Sequence, residues 1–204
     1  MSQDRDDGTL AFDAGGASIA ADPAEGVVAL RQGRLARILS LDEALLLAFR
    51  RIHRPGLTRV ARALTAIGDG RCWTAAGLVL LASGNAAGVH LGLRLAAATL
   101  LATALSQPLK RGLARARPDS SIAGFEALAA NPDRFSFPSG HSAAAVAVAV
   151  AFAGEPLGAG PASLLLAAGI ALSRVYLGAH YPLDVGAGVI LGVLAGLASR
   201  MLVG

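Results

Sequence analysis

Three clusters of residues in this 204-residue chain have the types and the spacing to handle a phosphate group. The first runs from Lys110 to Pro118. Lys110 and Arg117 are seven apart, two helical turns, so a continuous helix would project both cations from one face, and Pro118 would end it. An Arg fork and a Lys point charge converging at a membrane surface suit a phosphate, although the same pair alone could simply touch anionic headgroups. The second cluster, Phe137-Pro138-Ser139-Gly140-His141-Ser142, opens an apolar stretch. Ser139 is a natural N-cap, Gly140 permits close approach, and free backbone N–H groups there attract an anion. His141 falls in the first turn, placed to exchange a proton with whatever is bound. In the third cluster Arg174 lies within an apolar stretch, where a charge at mid-bilayer costs on the order of 3 kcal/mol, so it needs a helix end and a partner. Pro182 suits the first turn of the next helix, with His180 just before it and Asp184 inside it. A carboxylate there can accept from one imidazole nitrogen, fix the tautomer and leave the other nitrogen as a nucleophile.

The elements that must carry these residues follow from composition. Hydrophobic residues make up 54% and charged residues 16%, against about 25% charge in a soluble domain. Mean hydropathy is +0.56. This excludes a disordered chain, a disulfide-stapled module (Cys72 is the only Cys) and a nucleic-acid-binding arm. Lys110 is also the only Lys among 18 basic residues. Residues 1–30 hold six acids and no basic region ahead of an apolar core, which reads as a disordered acidic tail and not a signal peptide. Residues 31–70 read as amphipathic interfacial helices, at 33–53 and 57–67. From 71 to 204 the pattern predicts an all-α, membrane-embedded bundle with apolar stretches at 72–91, 93–109, 139–154, 161–179 and 183–203. Five spanning helices are expected, six at most. The Gly188-xxx-Gly192-xxx-Gly196 repeat predicts close helix packing. A long polar connection, 110–138, breaks the apolar series and is long enough to be functional.

Together the three clusters resemble the type 2 phosphatidic acid phosphatase superfamily, whose signature is K-x6-R-P, P-S-G-H and S-R-x5-H-x3-D. All eleven specified positions are filled here, in order, between Lys110 and Asp184. The resemblance implies that His180 attacks phosphorus to form a phosphohistidine, with Asp184 holding its ring. His141 would protonate the leaving group and then activate water. Lys110, Arg117, Ser139, Gly140 and Arg174 would bind the phosphoryl oxygens. It implies no metal and no cofactor, and the partner is a lipid phosphate in the membrane: phosphatidic acid, phosphatidylglycerophosphate or undecaprenyl pyrophosphate. No nucleic acid or obligatory protein partner is expected.

Other functions are weighed against this. A soluble vanadate haloperoxidase shares the phosphate pocket, but the apolar stretches speak against it. A transporter or lipid-binding module would hold an anion without needing a nucleophile. His53 and His90, the latter expected in a loop, lack motif partners, and Cys72 beside Trp73 reads as a helix entering the interface. The family expectation is a multi-pass inner-membrane protein with a periplasmic catalytic face. Arg62, Arg71, Arg111, Arg115 and Arg134 crowd that same side, however, which the positive-inside rule would make cytoplasmic.

Overall fold

The computed structural model describes residues 23–130, 133–155 and 159–204, with side chains from residue 33 onward except Ala159. The acidic tail expected over 1–30 lies outside the described residues as far as 22. Beyond it the chain is already helical: α1 runs Pro23–Arg50, opening on a proline whose fixed φ suits a first turn. Then follow α2 (Pro55–Ile67), α3 (Gly70–Ala82), α4 (Ala86–Leu113), the single turn α5 (Pro118–Ser121), α6 (Gly140–Ala151), α7 (Ala159–Tyr176) and α8 (Pro182–Leu202). The described residues contain no strand, only one antiparallel bridge between Ala116 and Phe135. The chain divides into two compact units, residues 1–38 and 39–204, and the site lies wholly in the second.

Several boundaries differ from expectation. The stretch 72–91 is not one helix: Asn85 caps α4 by accepting from the Gly88 amide at 2.8 Å, and Gly84 before it takes a φ of +67°, a left-handed turn that favours glycine. The stretch expected at 93–109 therefore lengthens into α4, and His90 belongs to that helix and not to a loop. Among the first helices only α2 has a marked apolar face. On α1 the polar positions Arg34, Arg37, Asp42, Glu43 and Arg50 are scattered around the axis, and the simple amphipathic pattern expected there is absent. Within α1, Asp42 and Leu46 are buried while Leu41 and Leu45 are exposed.

Two described helices, α4 and α8, are long and apolar enough to cross a membrane. Helices α3 and α6, of 13 and 12 residues, reach only about 20 Å at 1.5 Å per residue, short of a hydrocarbon core of about 30 Å. Helix α6 forms the centre and packs against α4, α7 and α8. Its alanines serve two small-residue cores: Ala143, Ala147 and Ala151 meet Ala98, Ala102 and Ala195, while Ala145 and Ala149 meet Ala167 and Ile170. Large apolar side chains such as Leu100, Leu165, Ile190 and Met201 point outward, as lipid-facing surfaces do.

The glycine repeat expected to allow close packing does so. A Cβ added at Gly188, Gly192 or Gly196 would lie 2.5, 2.6 and 2.6 Å from the carbonyl oxygens of Ser139, Ala143 and Ala147. Helix α8 thus rests directly on the backbone of α6 along three turns. At the end of the bundle away from the clusters, buried Arg94 pairs with Glu155 and donates to the Val203 carbonyl at 3.0 Å, tying α4 to the end of α8.

Candidate active site

The first cluster is not one helical face. Helix α4 ends at Leu113, where Ala114 adopts a left-handed φ of +43° and donates to the Lys110 carbonyl. Residues 114–117 then leave the helix, and Arg117 approaches Lys110 by the turn of the chain and not by helical periodicity. Pro118 does not end α4; it opens α5. The two cations nonetheless converge. Lys110 Nζ donates to Asp133 at 2.7 Å, Arg117 pairs with the same carboxylate, and Arg117 Nε donates to the Asp133 carbonyl at 2.9 Å. Both cations are buried. They hold the Asp133 carboxyl below the usual carboxylate range, outweighing the opposite effect of its partial burial.

The ends of the long connection are zipped beside them. Ser136 donates its amide to the Arg115 carbonyl at 2.8 Å and its Oγ to the Ala116 carbonyl at 3.0 Å. This delivers the second cluster to the first. Ser139 is the N-cap of α6, its Oγ accepting from the Ser142 amide at 3.4 Å and lying 2.9 Å from Ser142 Oγ. Its own amide donates to the Asp184 carbonyl at 3.0 Å, locking the start of α6 to the first turn of α8. Gly140, His141 and Lys110 together line a cavity of about 150 Å³ bounded by Gly68, Gly70, Ser106 and Gln107. A larger cavity of about 490 Å³ is lined by Arg117 with Asp119, Asp133 and Arg134.

The third cluster closes the site. Gly178, at φ +71°, turns the chain after α7, and a Cβ there would lie 2.7 Å from the Phe125 ring. Arg174 sits in the last turn of α7 and donates to Thr65 Oγ1 of α2 at 2.5 Å, the helix-end position with a partner that its charge requires. Arg117 donates to the Ala179 carbonyl at 2.6 Å, and its Nη1 lies 3.5 Å from His180 Nε2.

His180 is 1% exposed. Its Nδ1 is 2.7 Å from the Ser136 carbonyl, which only an Nδ1–H can satisfy, so in the neutral ring the lone pair is on Nε2, which faces Arg117. Asp184 Oδ2 is 3.7 Å from Nδ1, too far for the direct bond expected from the spacing. The backbone carbonyl sets the tautomer, and the carboxylate supplies charge behind it. Burial pushes the His180 pKa down to about 4; Asp184 opposes the fall, and Arg174 and Arg117 add to it. The ring is therefore neutral at pH 7. An unfolded histidine titrates near 6.5, so below that value the unfolded chain takes up the proton first and stability is lost as pH falls toward about 4. Thermal melts in detergent at about pH 7.5 and about pH 5 should show this drop, and His180→Gln should shrink it. An unchanged drop in the variant would assign the acid sensitivity elsewhere.

Three groups here escape a reading of the sequence. Asp133, Ser136 and Arg115 carry no motif signal, and their partners lie 16 to 73 residues away. Arg115 donates to Asp184 Oδ1 and to Asp42 Oδ2, each at 2.7 Å, and stacks over the Tyr181 ring at 4.0 Å. Burial works against its charge, but the two carboxylates win and raise its pKa. His53 proves structural, bonding the Tyr176 carbonyl at 2.7 Å.

The arrangement thus brings an oriented imidazole, a second histidine and three buried cations to one end of a helical bundle, a set of groups that can hold a phosphate and act on it. Comparison with known proteins agrees. A family model described as the PAP2 superfamily matches residues 91–203. Decaprenylphosphoryl-5-phosphoribose phosphatase of Mycobacterium tuberculosis is 33% identical over 172 residues, 81% of this chain and 88% of that protein. Its Mycolicibacterium smegmatis counterpart is 39% identical over 136 residues, 65% of this chain and 71% of that protein. Among solved structures, the transmembrane PAP2-type phosphatidylglycerolphosphate phosphatase of Bacillus subtilis superposes with a TM-score of 0.68 at 27% identity, covering 81% of this chain and 86% of that one. LpxE of Aquifex aeolicus gives 0.67 at 27% identity, covering 78% and 94%. Since the family match takes in more than half of the chain and every residue of the three clusters, the chain belongs to the PAP2 superfamily, and its named mycobacterial and Bacillus relatives are phosphatases.

Proposed function

We propose that this chain is an integral-membrane lipid phosphatase that hydrolyses a phosphomonoester or pyrophosphate on a lipid through a phosphohistidine at His180. The observation that carries the reading is the differentiation of the two His180 nitrogens: Nδ1 is committed to the Ser136 carbonyl, and Nε2 is free of a proton beside Arg117. Nε2 would donate its lone pair to phosphorus as the bond to the lipid oxygen breaks, and His141 would give that oxygen its proton. In the second step His141 would take a proton from water as the water oxygen attacks phosphorus, and inorganic phosphate would leave as the bond to Nε2 breaks. Lys110, Arg117, Arg174 and the amides at Ser139–Gly140 would meet the phosphoryl charge, and the scheme contains no metal.

The mycobacterial relatives act on a prenyl-linked phosphosugar and the Bacillus relative on a phosphatidylglycerol phosphate, so a lipid whose terminal phosphate lies beyond a polar headgroup is the preferred substrate class. A phosphate-release panel with purified protein tests this. It should contain decaprenylphosphoryl-5-phosphoribose, phosphatidylglycerophosphate, phosphatidic acid and undecaprenyl pyrophosphate. Release from at least one of them is expected; binding without release from any of them would favour an anion-binding or transport protein.

Asp133 occupies the two cations that the phosphoryl group would need. Its carboxylate is a resident competitor, so Asp133→Asn should lower KM severalfold with kcat within about twofold. A raised KM would instead make Asp133 an organiser of the cation pair.

The five apolar helices α3, α4, α6, α7 and α8 would form the membrane bundle, with the site at the outer face of the inner membrane. Helix α8 begins at the site and runs away from it to Leu202. A topology reporter fused after Gly204 should then read cytoplasmic, and a periplasmic signal would put the site inside, where the arginine excess alone would place it.

A further inference from the structure

We infer that Asp42 and Arg115 are positioning residues for the His180–Asp184 pair, and that the end of α1 from Leu39 onward is by this route part of the catalytic apparatus. The inference rests on the proposed role of that pair. Neither residue belongs to the three motifs, and Asp42 lies outside the 91–203 segment that matches the family.

The geometry is a closed fork. Asp184 and Asp42 have fully buried carboxylates, and each divides its oxygens in the same way. One oxygen of each receives Arg115, Nη1 to Asp184 Oδ1 and Nη2 to Asp42 Oδ2. The other oxygen of each receives a backbone amide at the start of α8: Tyr181 N to Asp184 Oδ2 at 2.9 Å and Leu183 N to Asp42 Oδ1 at 2.8 Å. Two buried anions stay close together only because one planar guanidinium and the N-terminus of a helix lie between them. Arg115 itself lies over the Tyr181 ring. Asp184 therefore has no freedom to swing, and the 3.7 Å that separates it from His180 Nδ1 is set by this fork. An Asp184 held by α4, α8 or its own turn alone would have a single anchor. The second anchor comes from α1, 142 positions earlier in the chain, which explains why an acidic residue is buried among the leucines of that helix.

Displacing a catalytic group by about 1 Å can cost on the order of 100-fold in rate, so loss of the second anchor should appear in kcat and not in KM. The test compares wild type with Asp42→Asn, Asp184→Asn and the double variant, in detergent, with the most rapidly hydrolysed lipid of the panel and dioctanoyl phosphatidic acid as a common reference. The Asp42→Asn change keeps the size of the side chain and an acceptor for the Leu183 amide but removes the ion pair with Arg115. It is expected to lower kcat about 10- to 100-fold with KM within about threefold. In the Asp184→Asn background it should have no further effect, because its action passes through Asp184. Arg115→Lys, which keeps the charge but breaks the fork at both carboxylates, should lower kcat at least about 10-fold with KM within about threefold, and it carries the same test if Asp42→Asn does not fold.

A wild-type kcat in Asp42→Asn, or a full multiplicative loss on top of Asp184→Asn, would overturn the inference. So would a loss of activity matched by the fraction of protein unfolded. If Asp184→Asn itself turns over at the wild-type rate, the proposed role of the pair fails first. If Asp184→Asn is impaired and Asp42→Asn is not, only the positioning role fails.

Discussion

Replacing His180 by Ala should lower phosphate release by at least about 10⁴-fold while the protein still folds and extracts from membranes as before. That factor corresponds to about 5.4 kcal/mol of transition-state stabilisation, at 1.36 kcal/mol per tenfold. The size follows from the role: without Nε2 there is no covalent route, and the cations that remain can only bind. Folding should survive because the ring bonds only one backbone carbonyl through Nδ1, and Ser136 stays anchored through its own amide and hydroxyl to residues 115 and 116. Substrate affinity should persist or rise, since Lys110, Arg117 and Arg174 are untouched. The check is kcat and KM beside a thermal melt of the same preparation. Turnover within tenfold of wild type would remove His180 from the chemistry.

A single methyl group at Gly188 is expected to disturb the packing and the site together. Its added Cβ would stand 2.5 Å from the Ser139 carbonyl and 3.1 Å from the Ser142 Cβ, and the nearest of these is backbone, which no side-chain rotation can move aside. Helix α8 must retreat from α6. Overpacking of this kind costs about 1–3 kcal/mol, and here the retreat also acts on the site. Ser139 caps α6 and bonds the Asp184 carbonyl, so moving the two helices apart separates the second cluster from the third. Gly188→Ala should lower the melting temperature by several degrees and kcat by more than tenfold. Gly186→Ala, two residues earlier on the same helix with nothing within 4 Å, is the control. It should be neutral or stabilise by about 0.5–1 kcal/mol, as alanine does in place of glycine in a helix. Equal behaviour of the two variants would mean that the close approach of α6 and α8 does not hold the site together.

How much of this is legible in the sequence depends on whether the controlling contact is local. Ser139 as a helix cap, Pro182 as a first-turn residue and the glycine stripe of α8 are written in spacing, because each is decided within one helix or by one helix face. The meeting of Lys110 with Arg117 is expected for the wrong reason. A two-turn helical spacing suggests it, whereas the left-handed Ala114 breaks the helix and the two cations meet at Asp133 across the loop. Hydropathy likewise places one span over 72–91, where a local signal, Ser83-Gly84-Asn85, breaks it into α3 and the start of α4. The apolar residues on either side dominate any window average and mask a three-residue turn. Asp42 and Arg115 are invisible for a different reason. Their partners are distant in sequence, and one buried acid on a leucine-rich helix looks like any other until α8 and Arg115 are seen to enclose it.

The central claim is that phosphorus passes through His180 Nε2. Rapid mixing of purified protein with a ³²P-labelled lipid phosphate from the panel, followed by an alkaline quench, tests it most directly. A protein-bound label that is stable to base, lost in acid, recovered on the peptide containing His180 and absent from His180→Ala is the predicted result. Phosphate release with no such label, or a label that persists in His180→Ala, would contradict it.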